Sequence, residues 1–410
     1  MHRKHGTPKR QRIWLWMFIF LSLGFQSCIP PVSAANSKAL QQQTEVSSTR
    51  IVSTQPLQPE QPVTATPLPT SPPPKRPIYI VDPKDQGVLS NIFMVDPDTQ
   101  RIVWTIQTRF LPEVVLSPDN QRLYVADSYR AQVTRGAQQD ALSIFDAHNG
   151  SLLVDDIPIQ GRLLYKAWPL TRDSFMFISD DGQQLLIEKY GDPDIHQLRL
   201  AVLSTTQFEL MHEGLLPPCD HRIVAFSDRW ICIHNTTLFE LNPLVQSGGK
   251  KALLTIPGFS VVSVIFDAQL NRLYTVDANA TVNVIDVKNF TVLETKRFEI
   301  SEGWRFARNI ALAPDSKRIY ISLFSNANQS NIFIDAVAVY DTANWKPIAR
   351  FNFASPNYHF ALSASGDHLY AISPDTRSLA IYDTESFQQI ARMNDLGGMP
   401  SLILVPRATH

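Results

Sequence analysis

Four aspartates, Asp82, Asp127, Asp180 and Asp277, each close a short apolar run that has an aromatic residue three positions earlier, as in Tyr79-Ile80-Val81-Asp82 and Tyr124-Val125-Ala126-Asp127. Carboxylates repeated in this way offer three kinds of chemistry. They can turn back on their own backbone as Asx turns. They can pool oxygen ligands around a hard cation such as Ca²⁺, or serve as general acids and bases. A second polar set lies five residues before a turn proline or its equivalent: Glu113, Lys166, Asp220, Ser263, Asn309, His359 and Ser401. Within it, His359 is the strongest general base or metal ligand. Glu113 supplies a carboxylate, and Arg305 and Arg308 add positive charge nearby. The catalytic candidates are therefore Glu113, His359 and Arg308. Asp82, Asp127, Asp180, Asp277, Asn309 and Arg305 are the candidates for a ligand-binding mouth.

The elements that must position these residues come from a recurring phrase. It reads Leu116-Ser117-Pro118-Asp119-Asn120-Gln121-Arg122-Leu123-Tyr124, then Leu312-Ala313-Pro314-Asp315-Ser316-Lys317-Arg318-Ile319-Tyr320, then Leu362-Ser363-Ala364-Ser365-Gly366-Asp367-His368-Leu369-Tyr370. Ser-Pro-Asp-Asn is a type I turn signal, because proline presets φ and the polar side chains bond locally. It joins an innermost strand to a second one. A third strand ends in Asp, as in Ser143-Ile144-Phe145-Asp146 and Ile381-Tyr382-Asp383, and an outer strand follows a polar turn. Four short antiparallel strands recurring about every 40–50 residues make a propeller blade. The aromatic anchors Tyr79, Tyr124, Phe177, Cys232 (by spacing), Tyr274, Tyr320 and Tyr370 count seven blades. The predicted fold is all-β, a seven-bladed β-propeller. Ile78–Asp82 lacks an innermost strand before it and Ser401–Pro406 lacks a second strand after it. Pairing the two closes the ring and removes its open edges. Antiparallel order then puts both polar sets on one face of the disc.

These blades resemble the YVTN-type repeats of the lactonase-like seven-bladed propellers. Tyr79-Ile80-Val81-Asp82, Tyr124-Val125-Ala126-Asp127 and Tyr274-Thr275-Val276-Asp277 stand where that family has Tyr-Val-Thr-Asn. The resemblance covers most of Ile78 to Pro406 and implies a fold. Its members include sugar-lactone hydrolases, surface-layer proteins and other exported proteins. No catalytic motif of the lactonases carries over residue by residue, and Asp replaces the family's Asn in several blades.

Ahead of the repeats, Arg3, Lys4, Lys9, Arg10 and Arg12 precede an apolar run from Ile13 to about Phe25. That is the layout of an export signal, too short to span a bilayer comfortably. Residues 1–34 are read as the signal, 35–76 as a Pro-, Thr- and Gln-rich tether, and 77–410 as the propeller. Two processing outcomes stay open: lipidation at Cys28 after Phe25-Gln26-Ser27, or cleavage after Val32-Ser33-Ala34. The remaining cysteines, Cys219 and Cys232, flank a short loop and are either bonded to each other or separate buried thiols. The net charge of −1 provides no bulk field to recruit nucleic acid.

The sequence thus points to an exported, surface-tethered, monomeric propeller that binds a protein or glycan at one face. Membrane contact would come only through an N-terminal lipid anchor, and no cofactor is expected beyond a possible Ca²⁺. A lactonase-like hydrolase with its site at the channel mouth is the alternative, and an accessory subunit of a redox or surface complex is another. The mass of the mature N-terminus distinguishes the processing routes. A diacylglyceryl-Cys28 terminus is expected for the tethered form, and a free Ala35 terminus would exclude it.

Overall fold

The computed structural model describes residues 74–407, apart from 84–88, 129–139, 164–173, 191–197, 217–218, 220–222, 227–228, 242–249 and 326–332. The leader, Cys28 and most of the tether, together with Lys166 and Asp220, lie outside the described residues.

Seven antiparallel sheets follow one another along the chain. In the second blade the strands Phe110–Leu116, Arg122–Ser128, Asp140–Asp146 and Leu152–Ile159 pair in sequence order. The anchor tyrosines explain why the sheets stack. Tyr79, Tyr124, Tyr274, Tyr320 and Tyr370 are all at most 2 % exposed. Each projects into the cluster shared with the following blade: Tyr124 packs with Ile178 and Leu185, and Tyr370 with Ile80 and Ile403. Neighbouring residues of the same strand, such as Leu123 and Val125, face the preceding blade. Period-2 alternation therefore makes both sides of each second strand core. Tyr79 also donates its hydroxyl to the carbonyl of Ala147 at 3.1 Å in the next blade. Burial, with the nearby Asp146 carboxylate, pushes that hydroxyl up to about 12.

Two blades depart from the sequence reading. Phe177 is not an anchor; it lies on the innermost strand Met176–Ile178. The turn Ser179-Asp180-Asp181-Gly182 reproduces Ser117-Pro118-Asp119-Asn120 in its bonds. Ser179 donates to Asp181 at 2.6 Å as Ser117 does to Asp119 at 2.5 Å. The N–H of Gly182 reaches the Ser179 carbonyl at 2.9 Å as that of Asn120 reaches the Ser117 carbonyl at 2.9 Å. Leu186 is thus the true anchor, facing Cys232 and Trp230 of the next blade. In the fourth blade the anchor is Ile231, one position before Cys232, because Ile231 faces the fifth blade and Cys232 the third. The third blade's innermost position is shared by two short strands, Arg162–Leu163 and Met176–Ile178, which explains why its repeat is illegible.

All seven outer strands carry one extra residue, a β-bulge opposite the third strand: Leu253, which is half-buried, and Val103, Leu153, Met211, Leu293, Ile348 and Ile390. All seven are aliphatic or Met, and the six other than Leu253 are 45–55 % exposed. A bulge kinks the edge and interrupts the row of unpaired backbone groups that another strand would otherwise extend.

The ring closes as expected. Leu402–Leu404 pairs with Tyr79–Val81 and becomes the innermost strand of the first blade. Asp82, fully buried, accepts hydrogen bonds from the backbone N–H of Gly398 at 2.9 Å and of Met399 at 2.6 Å. Gly397 has φ +79, and a Cβ there would lie 2.0 Å from the Asp82 carboxylate. Gly258, at φ +107, stands in the same relation to Asp277, with a looser 2.9 Å approach. Gly397→Ala is expected to cost more than about 2 kcal/mol by combining backbone strain with a displaced buried carboxylate, and Gly258→Ala about half of that. Urea unfolding of the two variants measures both. An unchanged midpoint for Gly397→Ala would contradict this account of the closure.

Candidate functional site

The expected mouth of the channel is built from innermost strands in a common register. Glu113 lies opposite Ala126, Ser263 opposite Val276 and His359 opposite Ile372. Asn309 bonds Ser322 at the same level, and the N–H of Ser401 donates to the Val81 carbonyl at 2.9 Å. Each of these partners stands two residues after its blade's anchor tyrosine. In the third blade this place belongs to Phe175, whose carbonyl accepts from the N–H of Glu188 at 2.8 Å. The structure therefore arranges Glu113, Ser263, Asn309, His359 and Ser401 around the axis at one level.

Two of these side chains, those of Glu113 and His359, bond to a neighbouring blade. Innermost-strand residues in this register point towards the next blade, as the anchor tyrosines do. Ser174 of the third blade donates to the carboxylate of Glu113, and the N–H of Ile403 in the first blade lies 3.4 Å from Nδ1 of His359. Glu113 and His359 sit on blades separated by the first blade. Ser322 both donates to the Asn309 carbonyl and accepts from its N–H, at 2.8 Å each, and so holds the irregularity between Phe306 and Ile310. Arg305 is exposed on the same strand, and the side chain of Arg308 lies outside the described residues. Beside them Phe306 is buried in the core, while Trp304 stacks under the guanidinium of Arg350 at 4.8 Å.

The aspartates are buried clasps. In the second blade Asp127 accepts from the backbone N–H of Arg109 at 3.1 Å and pairs with its guanidinium at 3.5 Å. Arg109 belongs to the crossing from the first blade's outer strand to the second blade's innermost strand. Asp277 accepts from the N–H of Phe259 at 3.2 Å, which occupies the equivalent crossing. It also closes an Asx turn with Asn279 at 2.9 Å and Thr281 at 2.8 Å. With Asp82 these make three blades in which the end of the second strand grips the segment entering the same blade.

Asp180 does not belong with them. It lies in the turn on the opposite face and pairs with Arg407 at 3.2 Å. The third blade instead places Lys189 at the clasp position. Its ammonium, 2 % exposed, donates to the Gln160 carbonyl in the crossing and pairs with Glu213 at 2.6 Å. Glu213 is also bonded by Arg199 at 3.0 Å, and although burial opposes it, the two cations hold its carboxyl below the usual range. In the seventh blade Ser355 bonds Ser373 at 3.2 Å. Sequence reasoning missed Lys189, Arg109 and Glu213. The one available signal was the match of Ser179-Asp180-Asp181-Gly182 to the repeated turn, which places Lys189 three residues after Leu186.

Among the described residues, no three or more His, Cys, Asp or Glu side chains are grouped so as to hold a metal ion. The carboxylates of Asp82, Asp127 and Asp277 each face backbone amides of their own blade instead.

This chain is a seven-bladed β-propeller, closed by its last strand. Its residues 74–226 match the family model described as methylamine dehydrogenase heavy chain. Over 350 residues it is 21 % identical to the methylamine dehydrogenase heavy chain of Methylorubrum extorquens, covering 80 % of this chain and 82 % of that one. The heavy chain of Methylophilus methylotrophus is also 21 % identical, over 352 residues, covering 80 % and 83 %. Among solved structures, a proposed 6-phosphogluconolactonase from Bacteroides fragilis superposes with a TM-score of 0.55 at 14 % identity, over 80 % of this chain and 98 % of that one. The dihydro-heme d1 dehydrogenase NirN superposes with a TM-score of 0.50 at 14 % identity, over 85 % and 79 %. These two likenesses speak for the fold alone.

Burial raises the carboxyl of Asp127 above its ordinary value, offset in part by Arg109. A raised folded value means that its contribution to stability is fully present below the unfolded carboxylate range. That contribution declines as pH rises through the folded value. Asp127→Asn keeps an acceptor for the Arg109 N–H, while Asp156 still pairs the guanidinium at 3.0 Å. It should stay within about 1 kcal/mol of the parent near neutral pH, with a flatter pH dependence. Asp127→Ala strands a buried donor and should lose about 1–3 kcal/mol. Urea titrations at pH 5 and pH 8 report both, and an undisturbed Asp127→Ala protein would remove the clasp role.

Proposed function

We propose that this protein is an exported, non-catalytic propeller that holds a partner protein, the scaffold chain of a multi-chain assembly. The observation that carries the reading is the nature of its relatives: heavy chains, matched across about four-fifths of both sequences. A heavy chain is by name one polypeptide of an assembly containing at least one other. The geometry supports the same reading. Glu113 and His359 bond to neighbouring blades, and Asp82, Asp127 and Asp277 hold backbone crossings, so these acid–base groups serve the ring. Fold alone does not fix function, and the lactonase-like reading rests only on fold.

Export and surface tethering belong to this proposal through the basic and apolar leader and the proline-rich stretch after it. Affinity purification of the full-length tagged chain from its own cells, followed by native mass spectrometry, tests the scaffold role. A second polypeptide in fixed stoichiometry is the expected result. A monomer that hydrolyses sugar lactones, with that activity abolished by Glu113→Gln or His359→Ala, would replace the scaffold reading with the hydrolase.

A further inference from the structure

The fourth blade is clasped differently from its neighbours. Cys219 lies in the crossing from the third blade's outer strand, Leu210–Leu215, to the fourth blade's innermost strand, Ile223–Phe226. Cys232 lies in the second strand of the fourth blade, Arg229–His234. The two are joined as a disulfide, with Cα atoms 5.8 Å apart. Topologically this is the link made by Asp82, Asp127 and Asp277 through hydrogen bonds: the second strand grips the segment that enters the same blade. Its surroundings differ. Both sulfurs are buried among Leu186, Leu200, Leu216, Trp230 and Leu241. A carboxylate or ammonium would be costly there without several polar partners, whereas a disulfide adds no charge. The innermost strand that it anchors has only four residues.

We propose that the Cys219–Cys232 bond is the closing step of the fourth blade, so that the ring is completed only in an oxidising compartment. Before oxidation the crossing is held by two thiols that cannot bridge the strands. The bond forms by thiol–disulfide exchange with a disulfide-bearing oxidant, either a protein oxidoreductase or oxidised glutathione. One cysteine thiolate attacks the oxidant's disulfide and expels one of its sulfurs as a thiolate. The second cysteine thiolate then displaces the other sulfur from the mixed disulfide. The chain loses two protons and two electrons in total, and the oxidant leaves as two thiols. The device makes completion of the fold depend on export, which the leader at the other end of the chain implies on separate grounds.

The test is refolding of the full chain from denaturant, either under dithiothreitol or with oxidised glutathione, followed by amide hydrogen exchange. In the reduced protein, amides of Ile223–Phe226 and Arg229–His234 should exchange more than about tenfold faster than in the oxidised protein, as expected when a loop of this size loses its cross-link. The fifth blade should keep its protection. A Cys219→Ser/Cys232→Ser double variant should behave like the reduced chain whether or not oxidant is present. Asp277→Ala, in contrast, should loosen the fifth blade equally in both conditions. A reduced chain that fails to fold at all but recovers on adding oxidised glutathione also supports the proposal. Fourth-blade protection within about twofold in the reduced and oxidised proteins would overturn it, as would loosening spread evenly over all seven blades.

Discussion

A buried group on a second strand, linked to the segment entering the same blade, recurs in six of the seven blades and is the interaction on which this ring depends. Every blade must receive its chain from the rim and carry it to the axis. That crossing brings backbone N–H and C=O groups into a region with little water, where an unpaired group is costly. The first, second and fifth blades answer with a carboxylate on N–H donors. The third reverses the polarity, with an ammonium on a carbonyl, and the seventh uses two hydroxyls. The fourth blade uses sulfur. Different chemistries thus solve one geometric problem, and Asp82, Asp127 and Asp277 are among the groups that solve it.

The two faces of the disc consequently differ in character. On one, the clasps hold the crossings, and Glu113 and His359 bond to neighbouring blades. On the other, Asp96, Asp146, Asp267, Asp286, Asp341 and Asp383 each cap a short turn with their own following N–H groups. Both ends of the described chain are fastened to this second face. Arg76 pairs with Asp367 at 2.7 Å in the seventh blade's turn. The backbone of Arg407 forms two bonds of 2.9 Å with the Asn120 side chain, and its guanidinium reaches Asp180. At Asp367 burial acts against the charge, but Ser365, Ser363 and His368 outweigh it and hold the carboxyl well below its ordinary range. Arg76 and Arg407 thus both sit on the face opposite the clasps.

The sequence makes the architecture legible because one local phrase combines three signals: a turn that fixes φ, a β-branched or aliphatic run, and a tyrosine whose burial is nearly complete. Where those signals coincide, as at Tyr124 and Tyr320, the register follows at once. At Phe177 an aromatic residue and a following Asp imitate the phrase, while the actual second strand, Gln184–Tyr190, has leucine at the anchor. Spacing alone could not separate the two, because the interval is lengthened within the blades, between Ser128 and Asp140 in the second and between Leu163 and Met176 in the third. The roles of the aspartates were legible only in part. An Asx turn was foreseeable from Asp277 and its neighbours, but the reach of Asp82 to Gly398 crosses nearly the whole chain, and no local pattern records it. Lys189 was hidden for a related reason: a lysine ending a strand ordinarily faces solvent, and only the fold shows it 2 % exposed.

The pairing of Leu402–Leu404 with Tyr79–Val81 sets the timetable of folding as well as its geometry. The first blade to emerge from synthesis lacks its innermost strand until the last segment has been made and delivered. Its other strands, Ile78–Asp82, Ser90–Asp96 and Arg101–Thr108, must meanwhile persist as a three-stranded sheet with one inner edge unpaired. Contacts between such remote segments are entropically late and kinetically slow. The interval between first emergence and ring completion is therefore the period of greatest exposure to aggregation and proteolysis.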